Sequence, residues 1–324
     1  MIKKNYTLVN EFLLLGFKDL HSFQIPFFLL LIAIYSITIV GNILIVALVS
    51  MSHQLHSPMY LFLSHLSLCD IFISTNVTPK TLQIILLGKS VISARDCIIQ
   101  LYLFGAAGTI ECCLLTVMSY DRYLAICRPL HYTTIMNVRL LHTLIIWSWM
   151  AGFVILLITY ILVLELEFCG PNIIDHFFCD LAPLIELSCS DTSVVQIEVS
   201  IAAIVLSLFQ FMFVIGTYIC IFKGIFQITS TSGRQKVFST CSSHLSVVCT
   251  YYGTMITLYV APSKGVSMNF NKVLSLLNTV VTPMFNPIIY SLRNKEIREA
   301  MSKCILVIMA LKVNYIEEQG KKHL

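Results

Sequence analysis

The chain has 324 residues, 57% of them hydrophobic and 12% charged, with a formal net charge of +4. A water-soluble domain carries roughly 25% charged residues, so this surface suits lipid rather than water. The positive balance is too slight to suggest a nucleic-acid partner.

In chain order, the first apolar run, Phe12–Phe17, is short and interrupted by Gly16, Lys18 and Asp19. No cleavable signal peptide is expected from it, so the first long helix would act as its own membrane signal. Apolar stretches then fall near Phe23–Ser50, Ser57–Leu86, Ile98–Cys127, Leu140–Leu164, Val194–Phe226, Val237–Ala261 and Val273–Leu292. Each reaches the roughly 20 residues that a spanning helix needs. The expected fold is an all-α membrane protein, a seven-transmembrane-helix bundle in a single domain over 1–324. A short amphipathic segment, Asn294–Leu311, alternates Lys295, Arg298 and Lys303 with Ile297, Met301 and Ile305, as an interfacial helix does.

Lys and Arg set the expected orientation. With residues 1–22 outside and 293–324 inside, the inner segments hold Arg122, Arg128, Arg139, Lys223, Arg234, Lys236 and the basic tail. The longest outer loop, Glu165–Asp191, has six acids and no Lys or Arg. Asn5-Tyr6-Thr7 is a glycosylation sequon consistent with an outer N-terminus. A second, Asn76-Val77-Thr78, falls within a span, too close to the membrane to be used.

The third span places Glu111 about 16 Å along the helix from Arg122, roughly half of a 30 Å hydrocarbon core. Buried ionisable groups in lipid are costly and point to function. Asp70, in the second span, is another. Two neighbouring carboxylates in low dielectric do not both ionise freely; they share a proton or recruit a cation. Pro283 and Pro287 each remove a backbone hydrogen bond from the seventh span, and Asn286, Asn278 and Tyr290 are expected to satisfy the freed carbonyls. Of twelve cysteines, Cys97, Cys169, Cys179 and Cys189 lie on the expected outer, oxidising side. Three pairings of them are open. His176 and Cys179 are read as a loop histidine beside a disulfide rather than as metal ligands.

In order, the chain carries Gly41-Asn42, PMYLFL (Pro58–Leu63), LSLCD (Leu66–Asp70), MSYDRYLAIC (Met118–Cys127), HFFCD (His176–Asp180), KVFSTCSSHL (Lys236–Leu245) and PMFNPIIY (Pro283–Tyr290). With these motifs it resembles an olfactory (odorant) receptor, within the rhodopsin-like G-protein-coupled receptors, nearly end to end. It departs at Ser119 and Val237, at Thr217-Tyr218, at Thr250–Gly253 where Phe-Tyr-Gly is usual, and at Glu186.

The resemblance implies disulfides Cys97–Cys179 and Cys169–Cys189. It also implies a switch for a stimulatory heterotrimeric G protein built from Asp121, Arg122, Tyr123, Tyr218, Lys236, His244, Asn286, Pro287 and Tyr290. Asp70 and Glu111 would meet Asn286, near Asn42, and hold a sodium ion, a shared proton or a plain hydrogen-bonded network. Phe104, Gly105, Gly108, Thr109 and Cys112 share one face of the third span. Matching family positions add Ala202, Ala203, Leu206, Tyr252, Met255, Ile256 and Tyr259. These are mostly apolar, as small-ligand sites are, and none is charged, so the expected ligand is a small, largely uncharged, volatile odorant. Membrane lipid is the other expected partner, with Cys304 a candidate for palmitoylation. A transporter would show a through-pore and repeat symmetry, and a membrane enzyme HExxH, GxSxG or a P-loop; neither pattern is present.

Overall fold

The computed structural model describes residues 9–17, 23–169, 171–227, 230–259, 268–294 and 296–304, without the side chains of some helical residues, among them Lys236 and Tyr259. Asn5 lies outside the described residues. The architecture is a seven-helix bundle. Its helices are α1 (Gln24–Met51), α2 (Pro58–Leu87), α3 (Ala94–Cys127) and α4 (Val138–Leu164). Then come α5 (Ser193–Ala203, a π-helical stretch Ile204–Phe209, and Gln210–Gln227) and α6 (Thr231–Tyr259). The last span, α7, joins Met268–Leu276, a π-helical turn Leu277–Val281 and Thr282–Arg293. Residues 296–304 form a final short helix, α8.

Among the described residues, six helices are long and apolar enough to cross a membrane. The remaining span, α6, is as long, but opens on Thr231, Ser232 and Arg234. Polar turns like this explain why hydropathy misplaced several starts. It marks the lipid-buried length, whereas α3 begins four residues earlier than expected because Ser93 caps it, accepting from the Asp96 amide at 3.0 Å. On α8, Ile297 and Ala300 are buried while Arg298 and Glu299 are exposed, and Cys304 packs partly buried against the main core. The Tyr60 hydroxyl of α2 reaches Asn294 and Glu296 at 3.0 and 2.8 Å, fixing where α7 turns into α8.

A small sheet, absent from the sequence-based expectation, caps one end of the bundle. Strand β1 (Glu11–Leu15) pairs antiparallel with β2 (Lys89–Ser93) and parallel with β3 (Ile173–Ile174). Phe12 and Leu14 alternate inward and are fully buried, while Glu11 faces out, the period-two pattern of a half-buried strand. Gly88, the one residue with positive φ among those described, turns the end of α2 into β2.

The axis of the bundle is α3, which packs on α2, α4, α5 and α6. Glycines set two close approaches. A Cβ at Gly41 would lie 3.1 Å from Pro287 of α7, so its absence lets α1 reach the proline kink. There Asn42 donates to the Pro283 carbonyl at 3.0 Å. That carbonyl lies four residues before Pro287 and has lost its backbone donor to the proline. The kink is therefore satisfied from α1, not by the expected Asn286, Asn278 or Tyr290. At Gly152 of α4 an added Cβ would sit 2.5 Å from Ile110 and 2.6 Å from the Ala106 carbonyl of α3. A backbone oxygen has nowhere to move, so Gly152→Ala is expected to destabilise by about 1–3 kcal/mol. Thermal melting of the purified protein in detergent reads this; an unchanged midpoint would show that α4 is not packed so tightly.

Candidate functional site

A cavity of ≈ 130 Å³ opens within the half of the bundle nearer the sheet. Nine expected positions line it: Phe104, Gly105, Gly108, Thr109 and Cys112 on α3, Ala202, Ala203 and Leu206 on α5, and Met255 on α6. The π-helical stretch of α5 contributes Leu206 and Ser207 to the wall; such segments often mark functional places in helices. The cavity is broader than a space among α3, α5 and α6. Leu156, Thr159 and Tyr160 of α4, Ile73 of α2 and Asn278 of α7 complete it.

Two expected positions do not face the cavity. The Tyr252 hydroxyl lies 3.0 Å from the Cys112 carbonyl, 3.2 Å from Gln210 Oε1 and 3.1 Å from Thr116 Oγ1, tying α6 to α3 and α5. Ile256 packs against the main core. The Tyr259 side chain lies outside the described residues. Tyr251 takes the wall position instead, donating to the Gly108 carbonyl at 2.7 Å with its hydroxyl 3.7 Å from Cys112 Sγ. Tyr251 stands in the stretch where the chain departs from the family pattern.

The expectation of an uncharged wall needs correction, because Asp180 and Glu111 both reach the cavity. Asp180 caps the short helix Leu181–Glu186, accepting from the Leu181 amide at 2.8 Å. Glu111 forms part of the floor. It adjoins Asp70 and the Tyr251 hydroxyl, and its Oε1 is buried without a hydrogen-bond partner. Asp70, fully buried, takes bonds from Asn286 Nδ2 at 3.0 Å on both carboxylate oxygens. Ser74 Oγ, Asn286 Oδ1 and Asn42 Oδ1 are also buried without partners. The predicted grouping of Asp70, Glu111 and Asn286 is thus present, and its spare atoms are oxygens, the donor type hard cations take.

Toward the far end of α3 lie the residues expected to form the switch. Arg122 Nη2 pairs with Asp121 Oδ2 at 2.6 Å, and Tyr132 donates to Asp121 Oδ1 at 2.8 Å. Asp121 is buried, so the ion pair and the tyrosine together offset its desolvation. Tyr123 stacks on Tyr120. Tyr218 of α5 and His244 of α6 share a hydrogen bond of 2.7 Å. The Tyr290 hydroxyl is buried without a partner, and Pro287 meets Gly41 as described above. Lys236 lies on the first turns of α6, its side chain outside the described set.

The roof is the loop between α4 and α5. Cys97–Cys179 anchors it to α3 with Cα atoms 5.4 Å apart, and Cys169–Cys189 closes a second link at 5.9 Å. Four contacts around the roof went unread in the sequence. Gln100 Oε1 accepts from the Cys179 amide at 3.0 Å, while Gln100 and Asn76 exchange bonds at 2.9 and 3.0 Å. Lys272, at the start of α7, pairs with Asp175 at 2.7 Å and donates to the Gly16 carbonyl at 3.0 Å, its side chain almost fully buried. An isolated cation beside an apolar helix start was the available signal for it.

A profile of the olfactory receptor family matches residues 31–307. Human olfactory receptor 11L1 is 45% identical over 303 residues, 94% of each chain. Human olfactory receptor 6F1 is 46% identical over 299 residues, 92% of this chain and 97% of its own. Mouse olfactory receptor 5P55 is 44% identical over 308 residues, 95% and 99% of the two chains.

The roof yields a pH test. His176 packs between the rings of Phe177 and Phe178, centroids 4.7 Å from each. Burial, helped by the Lys272 charge, pushes its imidazole down to about 3. The folded form thus binds a proton less readily than the unfolded chain, whose histidine titrates near 6.5. Its stabilising contribution is complete above about pH 6.5 and falls as pH drops from there toward 3, by at most ~1.4 kcal/mol per pH unit. Melting midpoints from pH 7.5 to 5 are expected to fall, and His176→Phe to flatten the fall. Identical slopes would place the titration elsewhere.

Proposed function

Because the chain belongs to the olfactory receptor family, multi-pass membrane proteins that act as odorant-sensing, G-protein-coupled receptors and not as enzymes, we propose that its cavity is the odorant site. The observation that carries this is the meeting of nine expected positions, five from one face of α3 and four from matching family positions, around one mostly apolar space roofed by a cross-linked loop. The preferred ligand is a small, largely uncharged volatile molecule. Its polar partners would be Thr109, Ser207, Asn278 and the Tyr251 hydroxyl.

The sheet and the disulfides would face outward, with the N-terminus outside and the Arg122 end in the cytoplasm, in the plasma membrane of sensory cilia. Signalling is then a population shift: the ligand must bind the active arrangement more tightly than the resting one. A preference of about 1.4 kcal/mol moves the ratio of states tenfold. The closed Arg122–Asp121 pair fits the resting arrangement. Its opening would free Arg122, together with the inner half of α6, which carries Lys236 and His244, for a stimulatory heterotrimeric G protein. The unpartnered Tyr290 hydroxyl gives the α7 segment a reason to move, since a buried orphan costs about 1–3 kcal/mol.

Asp70, Glu111, Asn286 and Ser74 would hold a sodium ion in the resting state, or the two acids would share a proton. A bound sodium would supply positive charge to the paired carboxylates and favour the resting packing of α2, α3 and α7. Glu111→Gln is expected to remove any sodium dependence of resting activity; an unaltered dependence would remove the ion reading.

An odorant panel on transfected cells, read as cyclic AMP, tests the whole. An uncharged odorant should raise cyclic AMP, Gly108→Leu should weaken that response at least about tenfold by filling the cavity, and Arg122→Glu should abolish it with surface expression intact. Saturation by a biogenic amine at low concentration, or full signalling by Arg122→Glu, would overturn the reading.

A further inference from the structure

A lipid-facing groove of ≈ 510 Å³ runs along the seam between α4 and α5, lined by Ile155, Ile197, Glu198, Ile201 and Val205 together with Ala202 and Leu206. The last two also line the inner cavity, so one pair of side chains forms the partition between lipid and cavity. Ile197 and Ile201 are 61% and 58% exposed, as lipid-facing residues should be. Glu198 is not such a residue. It lies six residues past Thr192, the cap of α5, about 9 Å along the helix, beside the exposed apolar Ile197 and Ile201, and a carboxylate in so apolar a surface is costly unless it is paired.

Its partner is Thr159 of α4, whose hydroxyl lies 3.1 and 2.9 Å from the two carboxylate oxygens. Thr159 is buried and itself lines the inner cavity. The pair thus bridges the partition, with its carboxylate in the groove and its hydroxyl on the cavity wall. One threonine proton uses only one of the roughly four acceptor positions of a carboxylate. Glu198 also lines the groove, which has no other charged group in its lining.

We infer that the α4–α5 seam is a lateral entrance through which a neutral amphiphile bearing a hydrogen-bond donor, such as an aliphatic alcohol, passes from the bilayer to the cavity, with Glu198 and Thr159 as its polar waypoint. This rests on the cavity being the ligand site. An apolar odorant concentrates in lipid before it meets the receptor, and the loop held by Cys97–Cys179 and Gln100 covers the direct approach from water. A ligand hydroxyl crossing the seam exchanges its bond to a lipid headgroup or water for one to Glu198, then for one to Thr159 or Ser207 within the cavity, so its donor is not stranded in hydrocarbon.

The test uses the full-length receptor in lipid nanodiscs with a diazirine-bearing octanol and the matching diazirine octane, adducts being mapped by mass spectrometry at timed exposures. The alcohol should label residues 197–205 about threefold more than the lipid-exposed Ile37 and Val40 of α1, and the preference should vanish for the octane and in Glu198→Leu. Ile201→Trp, or Val205→Phe should the first variant fold poorly, should slow labelling around Thr109 and Met255 by about tenfold. Because a route enters both binding and release, the final yield should stay unchanged. Equal labelling of the seam and α1, or a seam filled equally by the octane as by a lipid chain, would overturn the entrance. Unslowed cavity labelling in both bulky variants would do the same. A seam labelled by the alcohol with no adduct in the cavity at any time would overturn the route through failure of the cavity reading itself, which distinguishes the two.

Discussion

Lipid gives the carboxyl groups of Asp70 and Glu111 nothing to bond, so the bundle must supply their partners itself, and that constraint arranges its centre. Asn286 meets both oxygens of Asp70, bringing α7 against α2. Glu111 adjoins Asp70 from α3 and Tyr251 from α6. Four helices thus converge on one polar cluster that an apolar core would not need. Removing one member leaves buried charge or orphaned polar atoms, a larger penalty than the intact cluster's net contribution to stability.

The same cluster is where the two halves of the molecule meet. Glu111 is both the cavity floor and a neighbour of the Asp70–Asn286 bond. Asn286 lies next to Pro287, whose kink is held by Gly41 and Asn42, and one helical turn before Tyr290. On the proposed function, a change of shape at the floor would act on α7 directly, without a long chain of intermediaries. The ridge of α3 carries the remainder of the distance to Arg122. Above the cavity, the disulfides, Gln100 and the Lys272–Asp175 pair fix the roof, so the floor is the side left to respond.

Much of this was legible in the sequence because lipid imposes simple rules. Spans need long apolar runs, and a lone acid inside one must have a partner, which exposed Asp70 and Glu111 at once. What escaped depends on relations that hydropathy does not carry. The strand at Glu11–Leu15 buries only Phe12 and Leu14, and its partners lie far along the chain at Lys89–Ser93 and Ile173–Ile174. Adjacent residues on a helix point about 100° apart, so exchanging Tyr251 for Tyr252 on the cavity wall is an error of one position with a large consequence. The Asn42 bond to Pro283 spans 241 residues, and only assembled helices reveal it. Glu111 was read as a buried acid paired with Asp70 and not as part of the ligand wall; that it also lines the cavity follows from how α2 and α6 pack around α3.

The central claim is that the cavity floor and the α7 cluster act as one unit through Glu111. A double-mutant cycle between Tyr251→Phe in the cavity and Asn286→Ala in the cluster, read on resting cyclic AMP and on odorant potency, tests it most directly. Coupling of about 0.5–3 kcal/mol, the range for residues within one network, is the predicted result. Effects that simply add, within about 0.3–0.5 kcal/mol, would show that ligand site and switch are independent and contradict the account.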